Sequence, residues 1–507
     1  MNWDGAVTLL APVVAIGMAL ATRRVLWSLA SGALVAGWVA AQGDVADGLG
    51  RVVGYVWEAV SSADNLTIAT FTVVVAAMVA VMGASGATRL LIAGVERVAR
   101  GPRGAMVASW LAGFVVFFDD YANCMVVGRS MGPVCDRYGV SRAKLAYIVD
   151  STAAPVASLT LVSTWVGYEV GLLDQALATV GREGQGFELF LTALPYRFYG
   201  IFALILVGII AISGRDFGPM LHAERAARSQ ATASDSPEVV PWRRVFGAAG
   251  PVLALVVVTF GLMVQTGLQA EGMVWGETPL FVILGEADVY NAMLAGSVVG
   301  WLLAVLQGFG ARTLTGQAIA SSTWEGLHTV GEALAVLFLA WSLGNAVGDT
   351  SAQAYLAAQL SGSFPAWLLP TVVFLLAGFT AFSTGTSFGT MSILVPLAVP
   401  LAVELGGDST AILSGTTAAV LAGACLGDHA SPISDTTVLS AAGAQVDLVT
   451  HVRTQLPYAL LAGSVAIVLG YLPSALGVHV AACIALGVAA LLAAVYTWGT
   501  VAEATDA

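Results

Sequence analysis

Long apolar runs alternate with short polar stretches along almost the whole chain, from residue 7 to residue 498. Runs such as VFGAAGPVLALVVVTFGLMV (245–264) and VHVAACIALGVAALLAAVYTW (478–498) reach the length, about 20 residues, that a helix needs to cross about 30 Å of hydrocarbon. The alternation predicts an all-α polytopic membrane protein. Basic residues cluster between the runs, at Arg23 and Arg24, at Arg89, Arg97, Arg100 and Arg103, at Arg137, Arg142 and Lys144, and from Arg215 to Arg244. Loops rich in Lys and Arg stay on the cytoplasmic side, so these clusters orient the trace. Full spans are expected at 7–22, 25–41, 64–84, 145–170, 196–213, 246–267, 291–309, 330–347, 409–440, 456–472 and 477–498, about 11 in all. The expected location is the cell inner (cytoplasmic) membrane, with the N-terminus outside and the C-terminus in the cytoplasm. Asn2, Asp4 and no basic residue precede the first span, so no separate secretory signal is expected.

Two segments depart from simple crossing. Residues 104–134 have basic flanks on both sides, yet each half around Asp119 and Asp120 is too short to cross. A re-entrant hairpin with FFDDYAN (117–123) at its tip resolves this. A second hairpin, 365–403, is expected to enter from the other face with STGTS (383–387) at its tip, where Ser383, Thr384, Gly385, Thr386 and Ser387 form a hydroxyl and backbone site. Each hairpin precedes a span interrupted by polar residues, at DSTAAP (150–155) and at GDHASPISDTT (427–437). PVASLTLVS (155–163) matches PISDTTVLS (432–440) and pairs Ser158 with Asp435 and Thr160 with Thr437. The two copies lie on spans running in opposite directions. This is the signature of an inverted repeat with broken helices, a recurrent design of secondary transporters. The expected organisation is therefore N-terminal spans (1–62), a first repeat (63–213), a cytoplasmic linker (214–244), connecting spans (245–328), a second repeat (329–472), and a C-terminal span and tail (473–507). Two acidic stretches, 43–48 and a loop holding Glu271, Glu277, Glu286 and Asp288, are expected outside.

Composition agrees with this reading. The chain is 58% hydrophobic and 10% charged, whereas a soluble domain carries about 25% charged residues. The net charge of −12 says little about partners beyond the lipid bilayer, and no nucleic acid is expected. Cys124, Cys135, Cys425 and Cys483 lack CxxC spacing, so neither a disulfide framework nor a thiolate metal site is expected. HExxH and P-loop motifs are absent from the sequence, which argues against an enzyme; no cofactor is expected.

The candidate chemistry lies at the polar interruptions. Irregular backbone at membrane depth survives only inside protein or beside a wet cavity, and a buried charge there is costly enough to point to function. Hard cations such as Na⁺ take oxygen ligands. Asp428, Ser431, Asp435 and Thr437 supply them at the second break, as do Ser158 and Thr160 at the first. A carboxylate in a partly dry site also exchanges a proton for a cation, so one site holds H⁺ or Na⁺ but not both. The competing reading is helix capping, which accounts more readily for one Asp than for all five (Asp119, Asp120, Asp150, Asp428, Asp435). His429 fits hydrogen-bonded packing as well as proton handling. Asn345 and Asp349 read as loop caps. Arg129 is the only basic residue near either tip or break, which favours a purely cationic exchange.

The blocks GDHASPISDTTVLS, HVRTQLPYAL (451–460), FFDDYANCMVVG, KLAYIVDSTAAP and STGTSFGT, in order across most of residues 64–472, resemble the NhaC-type Na⁺/H⁺ antiporter family of the ion transporter superfamily. The resemblance implies a secondary antiporter with two inverted repeats, a re-entrant hairpin in each, and a homodimer. It implies Asp119, Asp120, Asn123, Asp150, Asp428 and Asp435 as cation- and proton-binding candidates, with Na⁺ expected at Asp120, Asp428 and Asp435. The transported ion is then Na⁺, exchanged for H⁺. Similar proteins exchange a small organic anion or amino acid, so an organic solute of lactate or malate type stays open as the alternative.

Overall fold

The computed structural model describes residues 5–229, 240–270, 272–350, 352–360, 364–407 and 409–502. Nearly all of them are helical. Among the described residues, 9 helices are long and apolar enough to cross a membrane, or up to 11 when two bent pairs each count as one span. Outer helices such as Trp242–Gly267 and Val480–Trp498 expose large apolar side chains, including Phe246, Val257 and Leu486. Inner helices are enclosed on all sides: Arg142–Leu159 is buried from Ala143 to Ser158. A helix hydrophobic all round at the surface and enclosed at the centre is the pattern of a bundle whose outer solvent is lipid.

The chain breaks at both predicted tips. The first runs as Gly101–Val115, an irregular stretch at 116–119, a short turn Asp120–Ala122, a widened turn Asn123–Val127, and Gly128–Arg137. In a straight helix, residues ten apart lie about 15 Å from each other. Asn123 Nδ2 instead donates to Gly113 O at 2.8 Å, so the chain doubles back. The second hairpin runs as Leu369–Thr384 and Ser387–Gly406, reversing at Gly385, whose φ of 73° favours glycine. Its arms reach the length of full spans.

The first interruption lies later than DSTAAP. Arg142–Leu159 continues through Asp150 and Pro155, and the break falls at 160–163 before Thr164–Ala178, with a bend of 49°. Pro155 loses one backbone bond, but enclosure by neighbouring helices keeps the helix intact; Ser163 then starts the next helix by accepting from Val166 N. The second interruption falls in the motif: Thr410–Ala430, a break at 431–434, then Asp435–Ala444. The two copies of the P-x-x motif therefore occupy different local structure, with Pro155 inside a helix and Pro432 inside a break.

Several elements escaped the apolar pattern. The acidic stretch 43–48 opens an amphipathic helix, Val45–Ser61, capped by Asp44, which accepts from Ala46 N and Asp47 N at 2.8 and 2.9 Å. Gly218–Ser229, within the stretch read as a linker, is a helix with Met220 and Glu224 buried. Arg215–Asp216 pairs antiparallel with Thr500–Val501. Residues 230–239 of that linker, Glu271 of the acidic loop and 503–507 of the tail lie outside the described residues.

Candidate functional site

The tips and breaks of the two halves meet. The first tip touches the first break: Thr164 N donates to Phe118 O at 3.1 Å, and Thr164 Oγ1 to Asp119 Oδ2 at 3.4 Å. The second tip touches the second break: Ser431 Oγ donates to Phe382 O at 2.7 Å, and a Cβ on Gly385 would lie 2.5 Å from Ile433 O. The halves are then cross-linked. Tyr121, from the first tip, donates its hydroxyl to Asp435 at the second break. Tyr168, beyond the first break, donates to Phe388 O at 2.5 Å beside the second tip.

Each predicted residue has a definite place. Asp119 caps the turn that follows it, accepting from Ala122 N at 2.7 Å. Asn123 Nδ2 binds the carbonyls of Gly113, Val116 and Thr152, which leaves its buried Oδ1 without a partner. Asp120 is buried, and its Oδ2 also lacks a partner. Asp428 is fully enclosed and accepts from Ser434 Oγ at 2.5 Å and Thr436 Oγ1 at 2.7 Å. Thr437 Oγ1 reaches both Asp428 O at 3.1 Å and Asp150 Oδ2 at 3.2 Å. Asp435, at the N-terminus of its helix, accepts from Thr436 N at 2.8 Å and lies within electrostatic reach of Asp120 and Asp428. His429 Nδ1 pairs with Tyr199 at 2.9 Å, and its buried Nε2 is unpartnered. The hydroxyls of Ser158 and Thr160 turn back to carbonyls of their own helix, Pro155 O and Ala157 O. At the second tip Thr386 accepts from Gly389 N, Thr384 bonds Thr380 O, and Ser387 Oγ is buried without a partner.

Asp119 and Asp435 thus satisfy helix ends, while Asp120 and Asn123 offer orphaned oxygens three residues apart. Oxygens of that kind suit a hard cation. Among the described residues no three His, Cys, Asp or Glu side chains converge as a metal cluster.

Sequence reasoning passed over His451 and Gln455. Gln455 Nε2 bridges Asp150 Oδ2 at 2.6 Å and His429 O at 2.7 Å, and His451 Nε2 lies 3.3 Å from Asp150. Both sit in the quoted HVRTQLPYAL block, about 300 residues from Asp150, where no spacing signals the contact. Basic residues were missed too. A cavity of about 740 Å³ is lined by Tyr121, Asp435, Thr384, Gly385 and Thr386 together with the exposed Arg23 and Arg24. Arg197 is buried beside the first break, where it binds Ser158 O. Asn345 is not a loop cap but accepts from Gln175 at 2.7 Å within the bundle, and Asp349 accepts from Tyr55 at 2.7 Å.

Residues 156–473 match the model of the Na⁺/H⁺ antiporter family. The chain belongs to this family. As a family member it is a multi-pass secondary transporter, with Na⁺ implied as a transported ion. An uncharacterized protein of Haemophilus influenzae is 33% identical over 455 residues, 88% of this chain and 86% of its own length. A malate-2H⁺/Na⁺-lactate antiporter of Bacillus subtilis is 36% identical over 90 residues, 18% of each chain. The solved structure of the Alcanivorax borkumensis YdaH transporter shares the fold, with a TM-score of 0.56 at 18% identity over 84% of this chain and 89% of that one.

Proposed function

We propose that this antiporter exchanges Na⁺ for H⁺ across the cytoplasmic membrane by alternating access, with Asp120, Asp428 and Asp435 holding Na⁺ or H⁺ in turn. The observation that carries the reading is the second break. There Asp428 and Asp435 are gathered with the hydroxyls of Ser434, Thr436 and Tyr121, and Asp435 faces an open cavity. A cation arriving through the cavity takes the place of a proton, because a carboxylate in a partly dry site binds one or the other. The inverted repeat, re-entrant hairpins, homodimer and outside N-terminus belong to this same reading.

The test uses purified protein in liposomes with an internal pH dye. Added NaCl is expected to move protons out of register with the imposed gradient, and Asp428→Asn to abolish that flux while folded yield is kept. Normal flux in Asp428→Asn removes the role assigned to it.

One observation favours a second reading. The cavity is far larger than a bare ion requires, and Arg23 and Arg24 are among its lining. An exchanger of a small organic anion or amino acid would use these cations and the Thr384–Thr386 tip, as the relationship to a malate-lactate antiporter suggests. Gradient collapse by one organic solute, with NaCl inert, selects this reading.

A further inference from the structure

We propose that Arg197 and Glu169 are a positioning pair: they set the bend of the first broken helix and so place Asp119 and Asp150 for cation binding. The inference rests on the chain acting as an ion-coupled exchanger. Arg197 stands where Gly186–Tyr196 meets Phe198–Ser213 at a bend of 45°. Its Nη1 donates to Ser158 O, in the last turn of the Asp150 helix. Its Nη2 lies 2.8 Å from Glu169 Oε2, on the helix beyond the break. One guanidinium therefore holds both limbs across 160–163. Its planar fork makes this possible: one nitrogen hydrogen-bonds the carbonyl while another lies in ion-pair contact with the carboxylate. The C-terminal carbonyls of the first limb carry partial negative charge, which a fixed cation stabilises.

The pair is poorly designed as a mere staple. Both residues are buried, at 1% and 0% exposure, and Glu169 Oε1 and Oε2 and Arg197 Nε and Nη2 have no hydrogen-bond partner, Oε2 and Nη2 meeting only as an ion pair. Buried ion pairs are often replaceable by apolar residues without loss of stability, so their presence here calls for another role. The other break has no such clamp. There the hydroxyls of Ser431, Ser434 and Thr436 do the bridging, around carboxylates. The first break is thus bridged by a guanidinium, and the second by hydroxyls gathered on carboxylates. On the far side of the first break, Thr164 contacts Asp119 and Phe118. A change in bend angle carries that contact away from Asp150.

Arg197→Met, Arg197→Lys and Glu169→Gln are to be reconstituted with the pH dye, and the half-saturating Na⁺ and maximal rate measured separately across pH, with thermal midpoints alongside. Arg197→Met and Glu169→Gln are expected to raise half-saturating Na⁺ about tenfold, with a smaller fall in maximal rate per folded protein. Arg197→Lys, which keeps a charge beside Glu169, is expected to recover most of the shift. A pair that only holds the fold together lowers midpoint and yield but leaves half-saturation unmoved, and that result overturns the proposal. Amide exchange at residues 160–166 reads the clamp without cargo. Faster exchange confined to the break is expected in Arg197→Met, and unchanged exchange overturns the proposal. If the wild type moves no protons with Na⁺, the exchange reading falls, and amide exchange alone decides the clamp.

Discussion

Asp150 shows how a single carboxylate is made to depend on a distant segment. Gln455 gives it its shortest bond and also holds His429 O, while Thr437, Ser440 and His451 complete its surroundings. Gln455→Leu removes the bridge and leaves Asp150 Oδ2 with only the longer contacts to Thr437 and His451, a loss of about 1–3 kcal/mol. The expected outcome is a lowered thermal midpoint and at least a tenfold loss of Na⁺-dependent proton flux, about 1.4 kcal/mol in the barrier. A flux equal to wild type would place Asp150 outside the cycle. The candidates themselves were legible in the sequence, because Asp, Ser and Thr in an apolar chain stand out. Their partners were not, since His451 and Gln455 come to Asp150 only through tertiary contact. Ser158 and Thr160 were over-read: a hydroxyl near a helix end bonds its own backbone unless something better faces it.

At the scale of elements, glycine sets how closely helices approach. A Cβ on Gly423 would lie 2.6 Å from Phe374 O, and one on Gly427 2.2 Å from Gly378 O. The Asp428 helix therefore lies against the first arm of the second hairpin backbone to backbone, as small residues allow in membranes. Gly427→Ala forces the pair apart at a cost of about 1–3 kcal/mol, read as a lower thermal midpoint in detergent, and shifts Asp428 away from Ser434. Helix Gly218–Ser229 docks differently, by charge. Lys144 pairs with Asp216, which also accepts from Tyr458 at 2.8 Å, and Ser141 N donates to Glu224 at 2.8 Å. Burial pushes the Glu224 carboxyl up, Lys144 opposes this, and Asp216 adds to it. A raised carboxyl stabilises docking fully below its unfolded value, and that contribution fades as pH rises through the folded one. Amide exchange over 218–229, corrected for intrinsic rate, is expected to slow on acidification, and Glu224→Gln to flatten the dependence. This helix was hidden because its polar composition reads as linker. The first break was misplaced for the opposite reason: Pro155 reads as a breaker, yet enclosure by neighbouring helices carries the helix past it.

For the whole molecule, the apolar pattern was enough to give the class of fold, because span length is dictated by hydrocarbon thickness. The short helices between spans, such as Val45–Ser61 and Gly316–Thr329, fall below that threshold and left no comparable mark. The cavity was likewise invisible, being made by Arg23, Glu332, Thr386 and Asp435 from four separate segments. Its presence has an electrical consequence. An open space lined by charged side chains admits water and ions, so little of the transmembrane voltage drops along it. The voltage falls instead mainly over the remaining thickness beyond Asp435. A charge crossing that layer exchanges about 2.3 kcal/mol with the field per 100 mV. Half-saturation for Na⁺ offered from the Arg23/Arg24 side is therefore expected to vary little with an imposed potassium diffusion potential, and that for Na⁺ offered from the opposite side to vary steeply. The molecule would meet its driving voltage over only part of its thickness, as a short capacitor rather than a long one.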